Sequence, residues 1–155
     1  MIHIKESKTA DTRTCDFSKV TREKLIKSSV QHMDDVARAI SFFQGMLIDA
    51  TDNHDTDKIT DINSFHADFV TGFKQTTWWD NHKKLSRHHL LEAVGVPEDV
   101  NLIDVLEMIS DCVMAGMARS GKIYPLNISP DVLMRAFNNT ADLLQSQVIV
   151  EKNET

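Results

Sequence analysis

A chain of 155 residues with 41% apolar content is long enough to form one ordinary domain that buries roughly 70% of its unfolded surface. A net charge of −6 and a pI near 5.6 leave no sequence-wide basic surface, so strong nucleic-acid binding is not expected. No run approaches the ~20 apolar residues of a membrane span, Met-Ile-His-Ile-Lys-Glu has no signal-like apolar core, and Cys15 and Cys112 are too few for a disulfide scaffold; a cytoplasmic protein with free thiols and no membrane partner is expected.

Residues 1–15 are polar and aperiodic, which reads as a flexible arm; a single helical domain is expected over 16–150 and a frayed tail over 151–155. After Ser18 or Thr21 as a cap, Leu25, Val30, Met33, Val36, Ala37, Ile40, Phe43 and Leu47 recur at threes and fours, the helical period. His32 shares a face with Val36, Ile40 and Phe43 and should point inward. An unbroken helix would separate His32 from His54 by about 33 Å, so a common ion requires a reversal, with Gln44-Gly45-Met46 the candidate. A further helix is expected over Asp61–Val70, burying Ile62, Phe65, Phe69 and Phe73 and leaving His66 at the surface. Trp78 and Trp79, expected as core and rim packing, lead into His82-Lys-Lys-Leu-Ser-Arg87-His88-His89, short helical or irregular. Asn101 or Asp99 should cap the strongest helix, Leu102–Arg119, with Leu102, Val105, Leu106, Ile109, Val113 and Met117 as its apolar stripe and Gly121 as its stop. Ser129-Pro130-Asp131 opens a last helix that buries Leu133, Ala136, Phe137, Thr140, Leu143 and Leu144. Met33, Met46, Met108, Met114 and Met117 are expected as core filler. Apart from Gln147–Val150 no segment alternates like a strand, so the fold class is all-α.

The chemistry centres on Asp52-Asn-His54-Asp55-Thr-Asp-Lys58. A histidine beside an aspartate offers a neutral nitrogen and an anionic oxygen, a donor pair suited to a divalent transition metal (Mn, Fe, Co, Ni or Zn). His32, His82, His88, His89 and Asp111 add donors at a distance. Asp111, on a strongly apolar helix, would be a costly buried charge without a partner. A lone inward histidine such as His32 is more often a satisfied core residue than a ligand, and its spacing to His54-Asp55 is what favours metal. His88 and His89 would diverge by about 100° on a helix, which sets His89 against a shared ion.

The order His32, His54-Asp55, Asp111 resembles the metal-binding pattern of the HD-domain superfamily, all-helical proteins that are mostly phosphohydrolases. Lys58 completes an H-D-x-x-K run. Together with Asn81-His82, His88-His89, Glu107-Met-Ile-Ser-Asp111 and Ala136-Phe-Asn-Asn-Thr140, the pattern is similar to a small, mostly phage-encoded, uncharacterised HD-like family over about residues 20–145. The resemblance implies an HD-like bundle of about five to seven helices. His32, His54, Asp55 and Asp111 would hold one ion; His82 with His88 or His89 would hold a second, bridged by Asp55. It departs from some two-metal branches in having Ser28 where they carry a carboxylate, and it lacks the Gly-Tyr-Pro element of cyclic-dinucleotide phosphodiesterases after the histidine pair.

A metal-dependent phosphohydrolase is therefore the leading expectation, cleaving a small nucleotide-like phosphoester with a water acidified to a pKa around 7. Lys58, and less directly Arg87, would neutralise a phosphate oxygen; Glu107 would orient a histidine or carry a proton. A mixed-valent di-iron oxygenase, which shares the H-D-x-x-K run, and a non-catalytic metal-containing phage accessory protein are the alternatives. For a phage-encoded chain the host cytoplasm would be the compartment. The Trp78-Trp79 region and the small size are compatible with a homodimer.

Overall fold

The longest element is one helix that the sequence was expected to break. In the computed structural model, which describes residues 1–7, 17–74, 77–91 and 95–152, β1 (Ile2–Lys5) is followed by a 3₁₀ turn (Phe17–Lys19) and then α1 (Arg22–Asn53), α2 (Asp57–Thr60), α3 (Ile62–Phe69), α4 (Trp78–Leu85), α5 (Leu102–Ser120), α6 (Pro130–Gln147) and β2 (Val148–Glu151). The chain is mostly helical, as the all-α expectation has it. Among the described residues no helix is long and apolar enough to cross a membrane. Cys15, Asp16, most of the expected arm and the last residues of the expected tail lie outside the described residues.

The reversal at Gln44–Met46 is not formed, because α1 runs straight through Gly45. A glycine inside a helix costs about 1 kcal/mol relative to alanine, too little to stop a run of 32 residues that has no proline behind it. The chain divides into two compact units, Met1–Gly45 with Asp142–Thr155, and Met46–Ala141.

In the first unit, β1 and β2 pair in parallel with Ile2 opposite Val148 and Lys5 opposite Glu151. Residues 2–5 of the expected arm are thus an ordered strand, and His3 Nδ1 lies 2.9 Å from Glu151 Oε1. Helix α1 is tied to this pair through its polar side: Gln31 Nε2 donates to the Lys5 carbonyl and Arg38 to the His3 carbonyl, both at 2.8 Å.

The core of the second unit is Leu90, Val100, Val105, Met108, Cys112 and Ala136. Asn101 caps α5 in a full capping box with Asp104, and Gly121 ends it in the left-handed conformation at φ 67°. The buried face of α5 is not the expected stripe. Ile103, Val105, Met108, Cys112 and Gly116 turn inward, whereas Leu106, Ile109 and Met117 are exposed. Gly116 explains part of the rotation: a Cβ there would stand 2.5 Å from the Lys122 carbonyl oxygen and 2.7 Å from the Tyr124 nitrogen, so only glycine lets that segment lie against the helix. Of the five methionines expected in the core, only Met108 is buried.

The middle of α6 is tied to the segment that leads into α5 by side chains of the Ala136–Thr140 run. Asn139 donates to the carbonyls of Glu98 and Val100, both at 2.9 Å, and the Leu102 nitrogen donates to Thr140 Oγ1 at 2.9 Å. Leu133 and Phe137, expected inside, are exposed, as are Ile62, Phe69 and Phe73. His66 is exposed as expected. Phe65 stacks on Trp78 with ring centroids 4.5 Å apart, and the Trp78 indole donates to Asp61 Oδ2. The two tryptophans are therefore packed and half-buried.

Candidate metal centre

Every donor of the centre comes from Met46–Ala141. Helix α1 delivers His54 at its end, and Asp55 then takes φ 54°, the left-handed region that is uncommon for a non-glycine residue and a form of stored strain. That turn stops the helix and brings two adjacent side chains to one place. Their separation is short, with His54 Nε2 3.5 Å from Asp55 Oδ2.

From the other side, His82 of α4 and the non-helical His88 and His89 approach the same carboxylate. His82 Nε2 is 3.4 Å and His88 Nε2 is 3.6 Å from Asp55 Oδ1. Because residues 86–90 leave the helix, the 100° divergence expected of His88 and His89 does not arise, and their rings lie 4.4 Å apart. Helix α5 adds Glu107 and, one turn on, Asp111, whose Oδ1 is 4.0 Å from His54 Nε2.

The outer nitrogens of these rings are occupied. His82 Nδ1 lies 2.7 Å from Asp57 Oδ2, and the Nδ1 atoms of His54 and His88 both lie 2.9 Å from Glu107 Oε1. A carboxylate accepts, so each Nδ1–H donates, which in a neutral imidazole leaves the Nε2 lone pair facing inward. Behind His82 stand the faces of Trp78 and Trp79, each with a centroid 5.1 Å away.

Four side-chain atoms in this pocket are buried and have no hydrogen-bond partner: Asp55 Oδ1, His82 Nε2, His88 Nε2 and His89 Nε2. Such groups cost free energy unless something satisfies them. They belong to the same four residues whose donor atoms lie within 4.8 Å of one another, the spacing of a metal shell; His54, Asp55 and Asp111 form a second such group, and His54, His88 and Glu107 a third. The third contains Glu107, whose Oε1 already contacts the Nδ1 atoms of both of its histidines.

The charge states suit ligation. Burial opposes ionisation of Asp55, yet the Lys58 ammonium bonded to Oδ2, with His54 and His88 nearby, holds its carboxyl below the usual range. Burial, with His88 and His82 alongside, pushes His89 down to about 4. Burial also lowers His88, against the pull of Glu107 and Asp55. Metals take neutral imidazole and ionised carboxylate.

His32 does not join the centre. It is exposed, it lies in the first unit, and none of the converging donor groups among the described residues includes it. Its apolar companions Val36 and Ile40 are exposed too. Arg87 is committed elsewhere: its guanidinium donates to both Asp104 carboxylate oxygens at 2.8 and 2.9 Å and to Asp99 at 3.0 Å, and the Asp104 hydrogen bond raises its pKa further. Asp57 and Ser86, which flank His82, carried no sequence signal beyond the acidity of the Asp52–Lys58 run.

Among the described residues, several cavities reach the centre. One of about 450 Å³ is acidic, with Asp49, Asp55, Asp57, Asp104 and Glu107 on its wall. Another of about 340 Å³ has His54 and Asp111 beside the apolar Leu47, Leu106 and Met114. The third, about 200 Å³, is lined by Trp79, His88, His89 and Asp111. Comparison with family models, with curated proteins and with solved structures finds no match for the chain.

Proposed function

We propose that the chain is a metal-dependent hydrolase that cleaves a phosphoester of a small nucleotide-like substrate. The observation that carries the metal is the convergence of four buried ligand atoms without hydrogen-bond partners on Asp55, His82, His88 and His89. The phosphoester comes from the resemblance of His54-Asp-x-x-Lys58, His82, His88-His89 and Asp111 to HD-domain phosphohydrolases, an analogy rather than a property of the cavities. With His32 remote, the HD-like set is one histidine short.

Asp55, His82, His88 and His89 would hold one ion, and His54 with Asp111 another. Asp55 would serve both, because its Oδ1 faces His82 and His88 while its Oδ2 faces His54. A divalent ion bound there supplies Lewis acidity and a water acidified to a pKa of about 7. Lys58 contacts Asp55 and lies 5.8 Å from the Trp79 ring centroid; it takes the charge-neutralising role toward a phosphate oxygen, and Arg87 drops out. Glu107 holds two rings by their Nδ1–H groups. The cavity walled by Leu47, Leu106 and Met114 receives the apolar part of the substrate.

The test pairs metal analysis of the purified chain with phosphate release from a panel of nucleotides in added manganese. Stoichiometric metal and release from at least one nucleotide, both lost in Asp55→Ala, support the reading. Stoichiometric iron with dioxygen consumption and no phosphate release would sink the hydrolase in favour of the oxygenase, for which the gathered set of four histidines and two aspartates also counts. Absence of metal overturns both.

A further inference from the structure

The acidic cavity of about 450 Å³ that reaches Asp55 and His88 has room for a phosphate chain but lacks the donors to hold one. Each positive element on its wall is already engaged. Arg87 donates to Asp104 and Asp99. The start of α5 borders the cavity through Asn101, Ile103 and Asp104, and a helix N-terminus ordinarily favours an anion through its backbone N–H groups. Here those groups are taken. The Asn101 nitrogen donates to Asp104 Oδ2, that of Leu102 to Thr140 Oγ1, and those of Ile103 and Asp104 to Asn101 Oδ1. Asp49, exposed near the end of α1, and Asp57 add negative charge to the same wall.

The other walls agree. No cationic side chain lines the cavity of about 340 Å³, and Lys83 on the one of about 200 Å³ lies 3.4 Å from Asp80. Lys58, bonded to Asp55, is the cation beside the centre. Two divalent ions and Lys58, set against Asp55, Asp111 and Glu107, would leave a surplus of at most about two positive charges, which one phosphomonoester group balances. A longer phosphate chain carries more charge, and its excess would meet Asp49 and Asp57.

We propose that the substrate is a phosphomonoester with an uncharged leaving group, and that the acidic wall, through Asp49 above all, excludes nucleoside di- and triphosphates. This rests on the hydrolase reading. Water adds to phosphorus, the bond from phosphorus to the leaving oxygen breaks, and a proton of the water passes to that oxygen, giving inorganic phosphate and an alcohol. The alcohol portion lies against Leu47, Leu106 and Met114. In that cavity the Thr51 and Ser110 hydroxyls donate to the carbonyls of Leu47 and Leu106, so toward a substrate they accept, the complement of a sugar hydroxyl.

The test compares mono-, di- and triphosphates of the same nucleosides at fixed free manganese, reading both nucleoside and phosphate products. The monophosphates are expected to have kcat/KM at least about tenfold above the matching triphosphates, and Asp49→Lys to narrow that ratio by at least about threefold. Titration calorimetry with nucleoside phosphonates and methylene-bridged triphosphates, which are not hydrolysed, is expected to give the same order of binding. Equal or faster turnover of the triphosphates, or their tighter binding, overturns this inference and leaves the hydrolase standing. Release from no member of the panel overturns both. A ratio unchanged in Asp49→Lys removes Asp49 from its role; should that variant fail to fold, Asp49→Asn is read in the same direction.

Discussion

The metal centre and the exposed side of α1 break the ordinary distribution of side chains in opposite senses. Around Asp55, polar atoms are buried without partners; along Ile26 to Ile40, apolar side chains stand in water without cover. Natural chains tolerate neither at length unless something from outside completes the contact. A buried lone pair calls for a cation, because its neighbours are lone pairs too. The exposed row of α1 carries no such chemical signature, so only the first region indicates what would complete it.

If the contrast is real, changes in one region should leave the other's readout untouched. Asp55→Ala should have the largest effect, removing bound metal and lowering phosphate release by more than the ~10–100-fold that loss of an outer hydrogen-bond partner costs. Alanine at the φ of Asp55 carries about 1–2 kcal/mol of strain, so Asp55→Asn, which tolerates that conformation, separates lost ligation from lost folding. Full metal content in both variants would erase the distinction between the two regions.

Gly116→Ala should destabilise by about 1–3 kcal/mol, because backbone rather than a flexible side chain meets the new Cβ; urea unfolding reads it, and an unchanged midpoint would place the Lys122–Tyr124 segment elsewhere. Asp57→Asn should weaken metal binding by about 10–100-fold without abolishing it, since it loosens the His82 ring but removes no ligand atom. A chelator competition titration measures this. The smallest effect belongs to Gly45→Ala, expected to stabilise by about 1 kcal/mol or less. No atom lies within 4 Å of a Cβ at that position, and α1 is helical there. A thermal melt that shows destabilisation would restore the reversal at Gly45 and, with it, a route for His32 to the centre.

The donors that the structure gathers were mostly legible in the chain, because His54-Asp55, His82, His88-His89 and Asp111 are residue types rarely brought together except by function. His32 misled through the pattern that made it attractive. Its apolar neighbours Val36 and Ile40 suggest a core face, whereas both are exposed. Periodicity reports that a helix has an apolar side; it does not say whether its own chain covers that side. The α5 stripe failed for a related reason. Gly116 carries no hydropathy signal, yet the close approach it permits decides which side of the helix is inside. Asp57 was invisible because an outer-nitrogen partner of a histidine is fixed by three-dimensional proximity alone, and the pairing of Ile2–Lys5 with Val148–Glu151 joins segments that no local pattern connects.

Glu107 has a consequence for how the centre fills. One oxygen receives two imidazoles, from His54 and from His88, and those rings serve different donor groups on either side of Asp55. Neither ring can swivel without disturbing the other's anchor. Were both positions to take metal, loading of the first would pre-organise the second, and titration with a single metal would give a steep, cooperative isotherm rather than two independent steps.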